Sequence, residues 1–306
     1  MKGAQDELGP WAFSAGRFAI AALAFAPCLP VAFTDAAVRS AGIELGAIAS
    51  LGYALQAWGL TQTSAGHVAF LGAFTVLLTP LLAGLGGRII PGRTWGATAT
   101  AMVGIAILEL GSGGGDAAGV SVAGDLSAFA AAAVFAWQIL RTEHHIRRLS
   151  LGAGSPRALG LVAAQLATLA GCFCAAAALE AALSGDSLPL RNLLEGHVDV
   201  KQLPLLSWLY TGVISTAGTL WLELEALRDV SAPDAALVYS TEPVWGALTA
   251  VLLLGERWGP STYAGAALIL AGSVVGQIGV EEDAVDGVKT EVKDTPPIDW
   301  SDTPGL

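Results

Sequence analysis

Read for hydrophobic and polar positions, the chain divides into nine apolar runs, at about residues 12–33, 42–60, 63–85, 94–110, 123–142, 157–183, 203–227, 233–254 and 261–279. A helix rises 1.5 Å per residue, so roughly 20 apolar residues cross about 30 Å of hydrocarbon. The runs are separated by turn-forming residues: Gly86-Gly87-Arg88 with Pro91-Gly92, the glycine-rich stretch from Gly111 to Gly115, and Ser184-Gly185-Asp186. Neither a heptad nor a two-residue alternation competes with the helical period. The pattern predicts an all-α, multi-pass integral membrane protein with nine transmembrane helices.

Composition agrees. The 306 residues are 54% hydrophobic and 13% charged, whereas soluble domains carry about 25% charged residues. The small residues that let membrane helices approach closely recur as Gly42-x-x-x-Gly46 and Gly272-x-x-x-Gly276. The net charge of −11 says little about substrate, because residues 280–306 place eight acids against Lys289 and Lys293. That tail is expected to stay unfolded. No basic patch points to nucleic acid. Residues 1–10, with Lys2, Asp6 and Glu7, read as neither a signal nor a transit peptide.

Little of the chain carries the residues of catalysis or metal binding. Cys28, Cys172 and Cys174 lie in apolar runs, and the Cys172-x-Cys174 pair is expected to pack between helices. His67 opens a helix, while His144 and His145 sit beside Arg147 and Arg148, so no metal set forms. No nucleophile–base pairing and no phosphate loop is present, and the expectation is a non-enzyme without cofactors.

The chemistry lies instead in polar residues at membrane depth. Glu242 and Pro243 fall in the middle of the run 233–254. A carboxylate there costs on the order of 2.5–3.5 kcal/mol, and a proline cannot donate a backbone hydrogen bond. The pair should therefore face protein or water. Glu242 reads either as a solute- or proton-binding group or as a structural carboxylate beside a Pro243 kink. Tyr239, three residues earlier, is expected on the same helix face. Arg17 is expected to snorkel to a membrane face, or to pair with an acid across the bundle.

An internal repeat is also visible. Gln56-Ala57-Trp58 through Ala65 matches Glu223-Leu224-Glu225 through Ala232 at an offset of 167. Pro80 and Pro243, the two expected kinks, match at 163, one helical turn out of register. Gln56 and Glu223 thus form a polar pair at equivalent positions, and they join Tyr239 and Glu242 as candidate substrate-binding residues. Glu225 ranks below Glu223 because it has no such partner.

Specific words then carry a resemblance. They are Ala235-Ala236-Leu237, Tyr239-Ser240-Thr241-Glu242-Pro243-Val244, Leu254-Gly255-Glu256-Arg257, and Gly265-Ala266-Ala267-Leu268-Ile269-Leu270-Ala271-Gly272. In this order and spacing the stretch resembles the second half of EamA-type carriers of the drug/metabolite transporter superfamily. The resemblance implies a ten-helix fold of two inverted repeats around a central cavity. The first run, with Arg17 and the ending Leu29-Pro30, is similar to the second family helix, so helix one of the family is the expected missing element. The halves are then 11–110 and 123–279, joined by the glycine-rich linker 111–122 and followed by the acidic tail 280–306. The implied function is carriage of a small organic metabolite by alternating access, the alternative being a non-transporting scaffold or inactive truncated paralogue. In this family Glu-Pro occurs in carriers of different substrates. Sugar-phosphate antiport is disfavoured, since the deep polar groups are mostly Glu, Gln and Tyr.

Arginine placement predicts orientation. Arg39, Arg88, Arg93, Arg141, Arg147, Arg148, Arg157 and Arg228 share one side, against Arg191, Lys201 and Arg257 on the other. The tail is expected on the arginine-rich side and the N-terminus opposite. A further first helix would bring both termini to one side. The expected partners are a solute and the lipid bilayer, with a homodimer as a candidate assembly, in either a plasma membrane or an organelle membrane such as that of a plastid.

Overall fold

The structure is a computed structural model that describes residues 9–63, 65–111, 121–184, 205–254 and 259–285. Helices run as α1 (Pro10–Ala24), α2 (Leu29–Thr34), α3 (Ala36–Gln62), α4 (Ala65–Gly72), α5 (Thr75–Leu85), α6 (Gly92–Gly111) and α7 (Val122–Arg148). Then follow α8 (Pro156–Ser184), the short α9 (Leu205–Leu209), a π-helical segment Tyr210–Gly218, α10 (Thr219–Ala226), α11 (Ala232–Tyr239), α12 (Glu242–Leu254) and α13 (Pro260–Val285). Among the described residues there is no strand, and each of the nine apolar runs falls on helix. Among the described residues four stretches are long and apolar enough to cross a membrane by themselves: His67–Leu85, Val122–Arg148, Pro156–Leu183 and Leu205–Ala226. Pro10–Ala24 with Ala26–Thr34 makes a fifth, bent by 54°. The linker residues 112–120, Arg191, Lys201, Glu256, Arg257 and the tail from 286 lie outside the described residues.

The chain forms two compact units, and each draws on both halves of the sequence. One comprises Met1–Tyr53 with Leu149–Arg228, the other Ala54–Arg148 with Asp229–Leu306. In the first unit α1 packs along α8, and α2 follows it. Phe13, Phe18, Leu45, Leu161, Leu166, Leu169 and Phe173 are fully buried there. Small residues set the spacing of α3 against α8. A Cβ on Gly42 would stand 2.4 Å from that of Ala164, and one on Gly46 would stand 2.6 Å from that of Thr168. In the second unit α6 and α13 make the most extensive pairing. Gly104 and Gly265 face each other, each with its missing Cβ within 2.8 Å of the other's carbonyl oxygen. Gly272 and Gly276 continue the seam against Ala97 and Leu237. Both small-residue motifs are therefore genuine helix crossings.

Large apolar side chains also face outward, among them Leu85, Leu126, Leu179, Leu206, Leu222 and Leu252. A soluble protein would not sustain so many, but lipid solvates them. Cys172 and Cys174, expected between helices, are exposed on α8. Hydrocarbon and protein core have the same polarity, so an apolar run does not say which of its faces is packed.

Charged side chains gather at the joints. In the first unit Arg157 Nε donates to Asp35 at 2.8 Å, and Asp35 also caps α3 by accepting from the backbone N–H groups of Ala37 and Val38 at 3.0 and 3.2 Å. Glu225 accepts from Arg228 at 2.8 Å and from the Gly154 N–H at 2.9 Å. In the second unit Glu143 accepts from Arg88 and from Arg147. Glu143 thus draws together two arginines that the sequence placed on one side, while in the first unit Arg157 and Arg228 each meet an acid of their own. Glu225 thus serves a joint, tying Arg228 to the Gly154 turn.

Candidate functional site

The candidate site is built on two broken helices in the second unit. α4 ends at Gly72, and α5 begins at Thr75 after a turn at Ala73–Phe74. α11 ends at Tyr239, and α12 begins at Glu242 after a turn at Ser240–Thr241. The match is exact to the residue: helix start, break and restart all lie 167 positions apart, pairing Ala65 with Ala232, Gly72 with Tyr239, and Thr75 with Glu242. This is the offset seen in the sequence.

The local causes of each break are legible. Ser231 caps α11 by accepting from the Asp234 N–H, with Pro233 in the first turn. At the other end the Ser240 and Thr241 hydroxyls donate back to the carbonyls of Leu237 and Val238, at 2.6 and 2.8 Å. The Val238 carbonyl also accepts the Thr241 N–H at 3.0 Å, so hydroxyl and backbone donors share the helix end. Glu242 and Pro243 then open α12. A first-turn proline needs no backbone donor, and a first-turn carboxylate faces the positive helix end. At the break between α4 and α5 the Thr75 hydroxyl lies 2.8 Å from Gly72 O and 3.3 Å from Ala132 O. Phe74 stacks edge-on with Phe70 and Phe129, both at 5.6 Å between centroids.

The two prolines differ in place: Pro243 stands second in α12, directly after the turn at Ser240–Thr241, whereas Pro80 lies inside α5. That difference of four positions accounts for the one-turn slip between the two prolines. Tyr239 and Glu242 do not share a continuous helix face, because the turn at Ser240–Thr241 separates them.

The breaks are neighbours. Val76, just past the first, packs with Leu237, just before the second, on Ala97 of α6. Ala73 and Val244 meet the same buried cluster of Ile105, Leu108, Ala266 and Ile269. Glu242 is exposed. Its carboxylate takes no hydrogen bond or ion pair among the described residues. Tyr239 is 36% exposed at the end of α11. Gln56, half-buried near the end of α3, belongs to the same unit; Glu223, half-buried on α10, belongs to the other.

Two further charged groups have surroundings that the sequence did not specify. Glu143, only 1% exposed, accepts from Arg88 Nη1 and Nη2, Arg147 Nε and Nη2, and the Ala232 N–H. It ties the α5–α6 joint and the end of α7 to the first residue of the broken helix α11. The available signal was a lone acid inside a basic run, Arg141 to Arg148, where an acid needs a partner. Among the described residues Arg17 forms no ion pair; its guanidinium lies 4.3 Å from the Phe18 ring centroid and 5.0 Å from that of Tyr53.

Known proteins agree with this architecture. A solved crystal structure superposes with a TM-score of 0.68 over 91% of this chain and 92% of its own, at 15% identity, a likeness of fold. A relative described as an uncharacterized transporter from Archaeoglobus fulgidus is 27% identical over 277 residues, 90% of this chain and 79% of its own length. The model of the EamA-like transporter family matches residues 1–110 and 124–275, which take in both broken helices. With both sequence halves matched and the fold all-helical, the chain belongs to the EamA-like transporter family.

Proposed function

We propose that this membrane transporter carries a small organic solute by alternating access, and that Glu242 binds the solute or a proton. The observation that carries the reading is the pair of adjacent helix breaks, 167 positions apart, with the Glu242 carboxylate, unpartnered among the described residues, at one of them. Discontinuous helices at equivalent places in two repeats are how secondary transporters bring helix ends and unwound backbone to a solute near the bilayer midplane. The halves 11–110 and 123–279 are the two repeats of this reading, inverted and with nine spans. Tyr239, Gln56 and Glu223 are the further candidate substrate-binding residues of this reading.

The test is a solute screen in reconstituted vesicles with the full chain and Glu242→Gln. Glutamine keeps shape and hydrogen bonding but removes the ionisable charge. Uptake of the solute found with the unaltered chain should fall at least about tenfold, equivalent to 1.4 kcal/mol, at normal folded yield. Normal uptake by the variant between about pH 5.5 and 8 refutes the role given to Glu242. Absence of uptake for every solute, with correctly folded protein, favours a scaffold.

A further inference from the structure

In the second unit α7 touches both broken helices. Near its start Asp125 Oδ1 accepts from the Thr63 hydroxyl at 3.0 Å and lies 3.5 Å from His67 Nδ1 on α4. Further along, the Phe129 ring meets Phe74 in the break between α4 and α5, and Ala132 O lies 3.3 Å from the Thr75 hydroxyl. Near its end Glu143 holds Arg88, which follows α5, and the Ala232 N–H that opens α11. Glu143 follows Asp125 by 18 residues, about 27 Å along the axis. The pair α4–α5 therefore follows α7 from start to end, whereas α11 sets out from the end. Val76 and Leu237 share a buried cluster beside the two breaks. Each broken helix is thus tethered at its outer end by an acid of α7, one acid near each end of a span.

The two tethers are unequal. Glu143 is buried and accepts from two arginines and a backbone N–H. The Asp125 and His67 side chains are 29% and 37% exposed. A contact open to solvent holds weakly, whereas breaking a buried ion pair strands charge. α4 and α11 are each eight residues long and end in a short turn, so each can tilt without unwinding the helix that follows. Only α4 has its outer end on the solvent-reaching tether. A glycine seats that end: a Cβ on Gly124 would stand 2.8 Å from that of Gln62 and 3.1 Å from that of Thr63.

We propose that the contact of Thr63 and His67 with Asp125 is a releasable gate. When they leave Asp125, α4 tilts about Ala73–Phe74 and opens the helix breaks to the membrane face at the start of α7, while the Glu143 tether stays closed. The gate rests on the alternating-access reading, but its test follows a thiol and needs no solute. A solute screen without uptake would refute that reading and leave the labelling result standing; failed labelling with intact uptake would refute the gate alone.

The experiment is labelling by a membrane-impermeant maleimide in sealed vesicles. The full chain carries alanine in place of Cys28, Cys172 and Cys174, and Gly72→Cys as reporter at the end of α4, where an added Cβ meets nothing within 4 Å. Reagent is added on the side opposite a tag at Gly152, which is the side of the α7 start, and separately on the tagged side. The labelling rate follows the open fraction, so Asp125→Ala should raise it from the α7-start side at least about fivefold and leave the tagged side unchanged. Asp125→Asn keeps an acceptor for Thr63 and should give a smaller rise. Gly124→Ala wedges a methyl group against Gln62 and leaves the polar atoms of the contact in place; it should raise the rate from the same side. An unchanged rate in Asp125→Ala or in Gly124→Ala overturns the proposal. An equal rise from both sides also overturns it, since that is general loosening and not a gate.

Discussion

Arg88 and Glu143, 55 residues apart, are joined by two parallel hydrogen bonds of 3.0 and 3.1 Å, with Glu143 nearly fully buried. Arg147 and the Ala232 N–H use the rest of the carboxylate. A bidentate pair of this kind fixes orientation as well as charge. Glu143→Leu strands two partly buried guanidinium groups and should destabilise the fold by about 3 kcal/mol. The double variant Arg88→Met with Glu143→Leu should lose less than the sum of its single changes, because it strands one charge fewer. Denaturation midpoints in detergent would show this, and strict additivity would contradict it.

The seam between α6 and α13 makes a second comparison. At Gly104 an added Cβ meets backbone atoms of Gly265 and Ile269 at 2.8 Å; at Gly96, on the same helix, it meets nothing within 4 Å. Gly104→Ala should cost about 1–3 kcal/mol through forced separation of the helices. Gly96→Ala should be neutral or stabilise by up to about 1 kcal/mol, since alanine is the better helix former. Melting curves of the two variants should move in opposite directions or by clearly different amounts.

Asp35 predicts a pH dependence. The Val38 N–H holds its carboxyl below the usual range, and Arg157 adds to the effect against a smaller opposing cost of desolvation from burial. A carboxyl depressed in the folded state contributes stability that is complete above its unfolded value of about 3.9 and is lost as pH falls through the lower folded value. The melting temperature of the unaltered chain should therefore exceed that of Asp35→Asn by a constant margin from about pH 7 to 5, and the margin should close below about pH 4. A margin that persists in acid would remove Asp35 from the set of pH-linked groups.

Sidedness is accessible to tags at Gly152 and Leu306. Nine spans place the tail on the same face as the Arg141–Arg157 loop, so both tags should be labelled from one side of sealed vesicles. Labelling from opposite faces would exclude the nine-span assignment.

What the sequence determined by itself was local or additive. Hydropathy runs, turn residues and charge content depend on neighbours a few positions away, and they placed the helices, the membrane and the family words around Glu242. The 167-residue offset was also readable, because equivalent helices keep equivalent turn residues. Only the tertiary structure decided whether Pro243 bends a helix or starts one. The turn at Ser240 and Thr241 leaves the apolar pattern intact, and the hydroxyls that return to Leu237 and Val238 are ordinary serine and threonine in sequence. Partners were likewise out of reach. Arg17 among aromatic rings, Glu143 between two arginines and Cys172 facing outward each depend on which helix lies alongside. In a membrane protein that choice is weakly encoded by hydrophobicity, because lipid and core are equally apolar, and it rests on close contacts such as Gly104 on Gly265, which form only once the helices have met.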